Sequence, residues 1–275
     1  MTTAVITVVS GRHEHLLRQH QALVSSHATP DLYIVVAMDD PWVTQWAPTD
    51  EPAPQILSVP LHDGALPLAT ARNVGADAAI AAGADLLVFL DVDCIPSPEM
   101  VNRYTVASAQ YSGALLCGPV GYLPENTDYD QPAEFGSVAH FHSFRPRPQP
   151  GEIDVGKHEL FWSLSFAVSA QTWRTIGGFH EQYRGYGAED TDFAVTAQRA
   201  GVEVVWVGGA DAFHQYHPTT SPPVQHLTDI LRNGSLFASR WGYWPMQGWL
   251  DAFEQRELVT WDQHSDTYVR TEKVL

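Results

Sequence analysis

Apolar positions along the chain gather in short unbroken runs, and between them lie longer stretches where apolar and polar residues recur at helical spacing. Unbroken runs bounded by turn formers predict buried strands, and the amphipathic stretches predict the helices that cover them. "AVITVVS" (4–10) is the first run, the helical stretch "HEHLLRQHQALVSS" follows it, and "LYIVVAMDD" (32–40) is the second run. This β-α-β order predicts an α/β fold built on a mostly parallel sheet flanked by helices. A Pro-rich connection (41–54) leads to a short strand, "QILSV", then to the Ala-rich helix of "PLATARNVGADAAIAAG" and a central strand from Leu86 to Asp91. "GALLCGPVGY" and "FWSLSFAVSA" each read as a strand, and "DTDFAVTAQRAGVEVVWVG" reads as helix, Gly stop and strand. Segment 123–160, rich in Pro, Gly, His and acids, reads as an ordered substrate loop or a lid. From Ser221 onward the pattern is helical, and its tryptophans are expected to pack on the main sheet. The resulting division is one domain over 1–220, in halves 1–122 and 123–220, with a helical C-terminal extension, 221–275, packed on it.

Composition narrows the class. With 275 residues, 44% of them hydrophobic and 17% charged, the chain can bury one substantial core. Its net charge of -17, with only 15 Lys and Arg, argues against nucleic acid or an anionic membrane surface as the main partner. Two cysteines, Cys94 and Cys117, and the lack of a basic and apolar leader before the first strand predict a reducing cytoplasm. No apolar run reaches membrane-spanning length. The sequon at Asn233 is then without meaning.

Function in open α/β sheets gathers beyond the carboxyl ends of the strands. Acids stand there twice, as Asp39 and Asp40 after the second strand and as Asp91 and Asp93 after the central one. "SGRHEH" after the first strand lacks a dinucleotide-binding glycine pattern, and neither a Walker loop nor His-Glu-x-x-His occurs, which disfavours hydride transfer and P-loop ATP hydrolysis. An Asp-x-Asp at a strand end suits a hard divalent ion. A bend at Val92 lets one carboxylate bind it while the other reaches the ion or a nearby hydroxyl. Read alone, the same acids merely terminate a strand.

Context adds a resemblance. "TVVSGR", "VVAMDD", "ATARNVGADAA" and "FLDVD" follow one another as in a GT-A glycosyltransferase of the large family 2 type, which the N-terminal half resembles. "FAVSAQTWRTIGGFHEQYRGYGAEDTDFAVTAQRAG" resembles the acceptor and catalytic segment shared with the β-1,4-galactosyltransferase family: Gly-Gly-Phe, aromatic-Gly, Glu-Asp-x-Asp, then a helix. The two stretches span 4–217, and Gly185-Tyr186-Gly187-Ala188 departs from that family, which has a Trp and a further Gly there.

The resemblance implies a GT-A fold with a Rossmann-like nucleotide-binding half. It implies metal-dependent transfer of a sugar from a nucleotide-diphosphate sugar, UDP preferred, to a hydroxyl of a glycan, lipid-linked sugar or small molecule, with inversion. Thr7, Val9 and Arg12 would line the base pocket, and Asp39 would meet base or ribose or form a turn. Arg72 and Asn73, at the start of the Ala-rich helix, would face an anion, unless Arg72 pairs with a neighbouring acid. Asp91, Val92 and Asp93 would meet the diphosphate. Mn2+ or Mg2+ would sit on Asp91, Asp93 and a late histidine, His214 in preference to His217. Asp190 would be the general base and Glu189 a ligand of the acceptor hydroxyl, with Asp192 a helix cap, although acids in a first helical turn commonly serve only the dipole. Trp162 and Tyr186 would contact the acceptor. Two other readings stay open: a retaining enzyme of the same fold without a base, and a non-catalytic module that binds a nucleotide-sugar or glycan.

Overall fold

In the computed structural model, which describes residues 1–273, the apolar runs are strands with both faces covered. The strands are β1 (Thr3–Val9), β2 (Leu32–Met38), β3 (Pro54–Val59), β4 (Leu86–Leu90), β5 (Cys94–Pro96), β6 (Leu115–Cys117) and β7 (Val120–Tyr122), followed by β8 (His140–Phe141), β9 (Ile153–Gly156), β10 (Ser165–Ser169), β11 (Val204–Val207), β12 (Ala212–His214), β13 (Val259–Asp262) and β14 (Thr267–Arg270). The helices are α1 (His13–Val24), α2 (Pro41–Gln45), α3 (Leu68–Ala81), α4 (Met100–Gln110), α5 (Phe135–Val138), α6 (Ala170–Ile176), α7 (Glu189–Arg199), α8 (Leu227–Trp241) and α9 (Gln247–Gln255). The main sheet runs β3-β2-β1-β4-β10-β6-β11-β9, with β10 and β9 antiparallel to their neighbours.

Side chains on β1 alternate between two cores, as the two-residue period of a strand requires. Ala4, Ile6 and Val8 join the core under α3, while Val5 and Val9 join the one that contains Leu16 of α1 and Val101 of α4. Burying each Val, Leu or Ile contributes about 1.5–3 kcal/mol, so the sheet is a stiff platform for whatever its strand ends carry. Among the described residues no helix is long and apolar enough to cross a membrane.

A second sheet, β5-β12-β7-β8, stands beyond the carboxyl ends of the central strands. Its register pairs His214 with Cys94, the residue after Asp93, and so brings the late histidine to the acid turn. This sheet corrects one expectation. "GALLCGPVGY" is two strands in different sheets, because the chain leaves the main sheet at Gly118-Pro119: Pro119 has no N–H for a ladder, and a side chain at Gly118 would collide with the Ala210 carbonyl. His214 is the last residue of β12, a strand of this second sheet.

Other expectations are corrected as well. The strand within "FWSLSFAVSA" is limited to Ser165–Ser169 and runs against β4. Segment 123–160 holds β8 and β9, the latter an edge strand of the main sheet. The C-terminal extension is α8, α9 and a β13-β14 hairpin, because the alternation in "VTWD" and "TYVR" on either side of a polar turn favours strands. Trp244 and Trp249 pack within the extension's own core, with Ile230, Leu250 and Phe253, and not on the main sheet.

Candidate active site

The turn after β4 is held from below by a side chain that the family comparison did not single out. Gln19 of α1 is fully buried, and its amide donates to the carbonyls of Asp91 (2.8 Å) and Cys94 (2.9 Å). Its oxygen accepts from the Thr7 hydroxyl (2.8 Å) and the Tyr33 hydroxyl (3.1 Å). Every polar valence of the amide is used, each bond contributing about 1 kcal/mol net. Val92 is buried at the bend, which leaves Asp91 and Asp93 to diverge.

Asp91 turns to Arg72. The guanidinium, 3% exposed, donates to Asp91 (3.0 Å) and to Glu189 (3.2 Å), so one buried cation serves two carboxylates. Burial works against the charge on Arg72, yet the adjoining carboxylates outweigh it and hold the guanidinium protonated. Burial raises Asp91 above the usual carboxylate range even with Arg72 beside it. Asp190 is raised by burial as well, and Glu189 is pushed up to about 7 by burial and the neighbouring Asp190. Asn73 is engaged elsewhere. Its amide donates to Phe179 O (2.9 Å) and its oxygen accepts Phe179 N–H (2.8 Å), tying the Gly-Gly-Phe segment to α3. Arg72 and Asn73 lie one turn inside α3, and both are occupied by protein partners.

Asp93 turns the other way. One of its oxygens lies 2.7 Å from Arg12 Nη1, 3.5 Å from His214 Nε2 and 3.7 Å from His217 Nε2. The ligand atoms of Asp93, His214 and His217 all fall within 4.8 Å of one another, a spacing that suits a divalent ion with mixed nitrogen and oxygen ligands. Burial, aided by Arg12, lowers His217 and favours the neutral, ligating imidazole. The carboxylate set therefore divides: Asp93 faces both histidines, and Asp91 faces Arg72. Gln215, fully buried between the two histidines, donates its N–H to Asp93 O (2.7 Å) and fixes the chain that carries them.

The residues expected around the base are less alike. Thr7 and Val9 are fully buried beneath the strand ends, whereas Arg12 and Asp39 are exposed there, both with a left-handed φ of 50°. Asp40 is structural: it caps α2 through Trp42 N–H (3.1 Å) and Val43 N–H (3.2 Å) and accepts from Gly11 N–H (2.7 Å) and His13 (2.9 Å).

The acids at the start of α7 are aimed by a turn that the C-terminal extension grips. Gly185 is left-handed, and a side chain there would collide with Asp229 of α8. Asn233, fully buried on α8, donates to the carbonyls of Arg184 (2.9 Å), Tyr186 (3.2 Å) and Gly187 (2.9 Å), and Asp229 accepts Tyr186 N–H (3.2 Å). The Tyr186 ring stacks on His226 at 4.4 Å and on Trp249 at 5.8 Å. The sequon asparagine is thus a clamp on the turn before α7. Asp192 is not a cap but a buried anchor, 1% exposed, taking Tyr183 OH (3.0 Å), Arg240 Nε (2.7 Å) and Trp241 Nε1 (2.7 Å). Asp190 uses one oxygen for Thr191 N–H (2.7 Å). Trp162 packs with His142 and Phe144. Gln19 and Asn233 share a sequence signal: each is a polar residue on the apolar stripe of an amphipathic helix, with Leu16 and Leu23 or with Ile230 and Phe237.

The fold is that of GT-A glycosyltransferases. The structure of GalNAc-T7 with UDP, GalNAc and Mn2+ superposes at a TM-score of 0.56, covering 79% of this chain and 44% of the other at 12% identity. Residues 1–349 of S. aureus TarS superpose at 0.56, covering 87% and 65% at 14% identity. A family model described as the N-terminal domain of galactosyltransferase matches residues 157–218, which contain the Glu189-Asp190 pair and both late histidines. A validoxylamine A glucosyltransferase of Streptomyces hygroscopicus subsp. jinggangensis (strain 5008) is 28% identical over 154 residues, 49% of this chain and 36% of its own length. Its namesake from subsp. limoneus is also 28% identical over 154 residues, 33% of its length. This chain thus spans about a third of the length of these relatives. Together the findings support a GT-A glycosyltransferase that resembles galactosyltransferases.

Proposed function

We propose that this protein transfers a sugar from a nucleotide-diphosphate sugar, UDP by preference, to an acceptor hydroxyl with inversion, and that Asp190 is the general base. The observation that carries the reading is the pairing of two sites joined through Asp91 and Arg72: an Asp93–His214–His217 cluster, and a raised acid pair at a tightly held helix start. The presence of UDP and Mn2+ in the GalNAc-T7 structure, and of UDP-GlcNAc in a TarS complex of TM-score 0.54, supports the donor class.

Asp93, His214 and His217 would hold Mn2+ or Mg2+, and two imidazoles favour Mn2+. The bound ion would stabilise the charge of the leaving diphosphate. Arg12, exposed beside Asp93, offers a further guanidinium to the diphosphate. Asp39 is left for base or ribose, while Thr7 and Val9 shape the floor from beneath. Arg72 neutralises the Asp91 and Glu189 side, which lets Glu189 orient the acceptor hydroxyl. Burial moves Asp190 toward the range in which a carboxylate accepts a proton effectively. The rings of Trp162 and Tyr186 suit the C–H faces of sugars. The two cysteines are buried free thiols, in keeping with the cytoplasm we propose as its location.

Glucosyl donors with validoxylamine A are the first pair to screen, after the relatives named above. With a working pair, the Asp190→Asn variant should lose about 100- to 10,000-fold in kcat while nucleotide affinity stays nearly unchanged. NMR of the product anomeric centre completes the test. A retained centre would rule out the base, and a chain that neither transfers sugar nor hydrolyses donor would be a binding module.

A further inference from the structure

Arg145 is a half-buried cation with no carboxylate partner among the described residues. Its guanidinium stands over two indoles, 4.4 Å from the ring centre of Trp162 and 4.7 Å from that of Trp206. Nε and Nη1 are buried and meet no acceptor. Trp206 belongs to β11 and is wholly buried, so the main sheet fixes one of the two rings. The Arg145 N–H to His142 O bond (3.1 Å) fixes the turn that delivers the side chain.

Burial pulls the proton affinity of the guanidinium down, and the charges of Cys117, Tyr122, Asp190 and Tyr104 act against that fall. Asp190 is the single carboxylate among them. An unpaired buried charge is strongly disfavoured, so a protein that keeps one has a use for its unmade hydrogen bonds. Contrast Arg72, which is spent on Asp91 and Glu189, and Arg12, which is exposed beside Asp93. A diphosphate belongs with Asp93 and the histidines, whereas Arg145 lies against Trp162, which on the reading above meets sugar. The indoles meet the guanidinium through their ring faces and accept no hydrogen bond from Nε or Nη1, so the fork that matches a carboxylate is left unmade.

We propose that Arg145 receives the carboxylate of a sugar acid, and that one of the two sugars this protein joins is a uronic acid. The inference rests on the glycosyl-transfer reading and deepens it. UDP-glucuronate and UDP-glucose, each with Mn2+, give the donor arm of the test. Glucuronate and glucose, titrated onto protein with and without UDP and Mn2+ and followed by tryptophan fluorescence, give the acceptor arm.

The expected result is a roughly 10- to 100-fold preference for the acid in one arm, as for one charge-assisted hydrogen-bonded pair. Arg145→Gln should erase that preference without lowering the melting temperature of the free protein. Arg145→Lys, which keeps the charge and loses the fork, should retain only part of it and serves if the Gln variant does not fold. Preference in the first arm assigns the acid to the donor, and in the second to the acceptor. Equal binding of acid and neutral sugar in both arms would overturn the proposal. So would equal loss of both ligands together with a lower melting temperature in Arg145→Gln, which would make the arginine a structural staple. Failure of every nucleotide to bind would count against glycosyl transfer, while the fluorescence titration without nucleotide would still decide whether Arg145 holds a carboxylate.

Discussion

Asp91 and Asp93 stand two residues apart on one turn, yet their surroundings are opposite. Asp91 shares a buried guanidinium with Glu189, and that guanidinium is 3% exposed. Asp93 faces an exposed arginine and two half-buried imidazoles, with no second carboxylate in the cluster. One end of the cleft is neutralised from within the protein. The other gathers ligands around a carboxylate that solvent and small ions can reach. On the reading proposed above, electrostatics at the Arg72 end contribute to folding, and those at the Asp93 end to binding.

Replacing each arginine tests this division with the largest effect. Arg72→Met should destabilise the protein by about 3–5 kcal/mol, because it leaves two buried carboxylates unpaired. Arg12→Met should change stability by less than about 1 kcal/mol, since its ion pair with Asp93 is solvent-screened. Urea midpoints of the two variants check it, and equal losses would erase the distinction.

The second test uses pH. The folded-state pKa of Glu189 lies at about 7, above its ordinary 4.5, with burial as the main cause. Below 4.5 the group is protonated folded or unfolded and contributes nothing. Between 4.5 and 7 the folded state keeps a proton that the unfolded chain has lost, so stability falls as pH rises. The wild type should lose about 1 kcal/mol per pH unit across that window relative to Glu189→Gln. Parallel stability curves for the two proteins would place Glu189 with the ordinary carboxylates.

Asn233 sharpens the comparison from the other side of the cleft. Asn233→Ala frees three turn carbonyls and should cost about 1–3 kcal/mol. If Asp190 is the general base that this turn aims, kcat should fall more than nucleotide affinity. An equal fall in both would mean that α8 supports the whole cleft.

Much of this arrangement is legible in the chain. Strand runs such as "LYIVVAM" and "DLLVFLDVD" announce a buried sheet with acids at its ends, since burial on both faces leaves no alternation to misread. The Gly-rich approach to Glu189-Asp190 announces a tight turn. What stays hidden depends on contacts between distant segments. Nothing local distinguishes Asp91 from Asp93, because the choice between them is made by Arg72, His214 and His217. Asp192 has the sequence of a first-turn cap, and only the arrival of Arg240 and Trp241 makes it an anchor. Gln19 and Asn233 carry a signal, a lone amide on an apolar helix stripe, but the stripe does not say which turn the amide holds. The break at Gly118-Pro119 was visible as residues and is explained only by the second sheet.

The central claim is that the Asp93 end holds a divalent ion together with the diphosphate of a nucleotide. Melting temperatures with UDP, with Mn2+ and with both test it most directly. The account predicts that the pair stabilises the protein far more than the sum of its parts, by about 2.7 kcal/mol when the pair is at 100 times its dissociation constant. It also predicts that Asp93→Asn and the double variant His214→Ala with His217→Ala abolish the excess. Strictly additive shifts, or an excess that survives loss of Asp93 and both histidines, would contradict it.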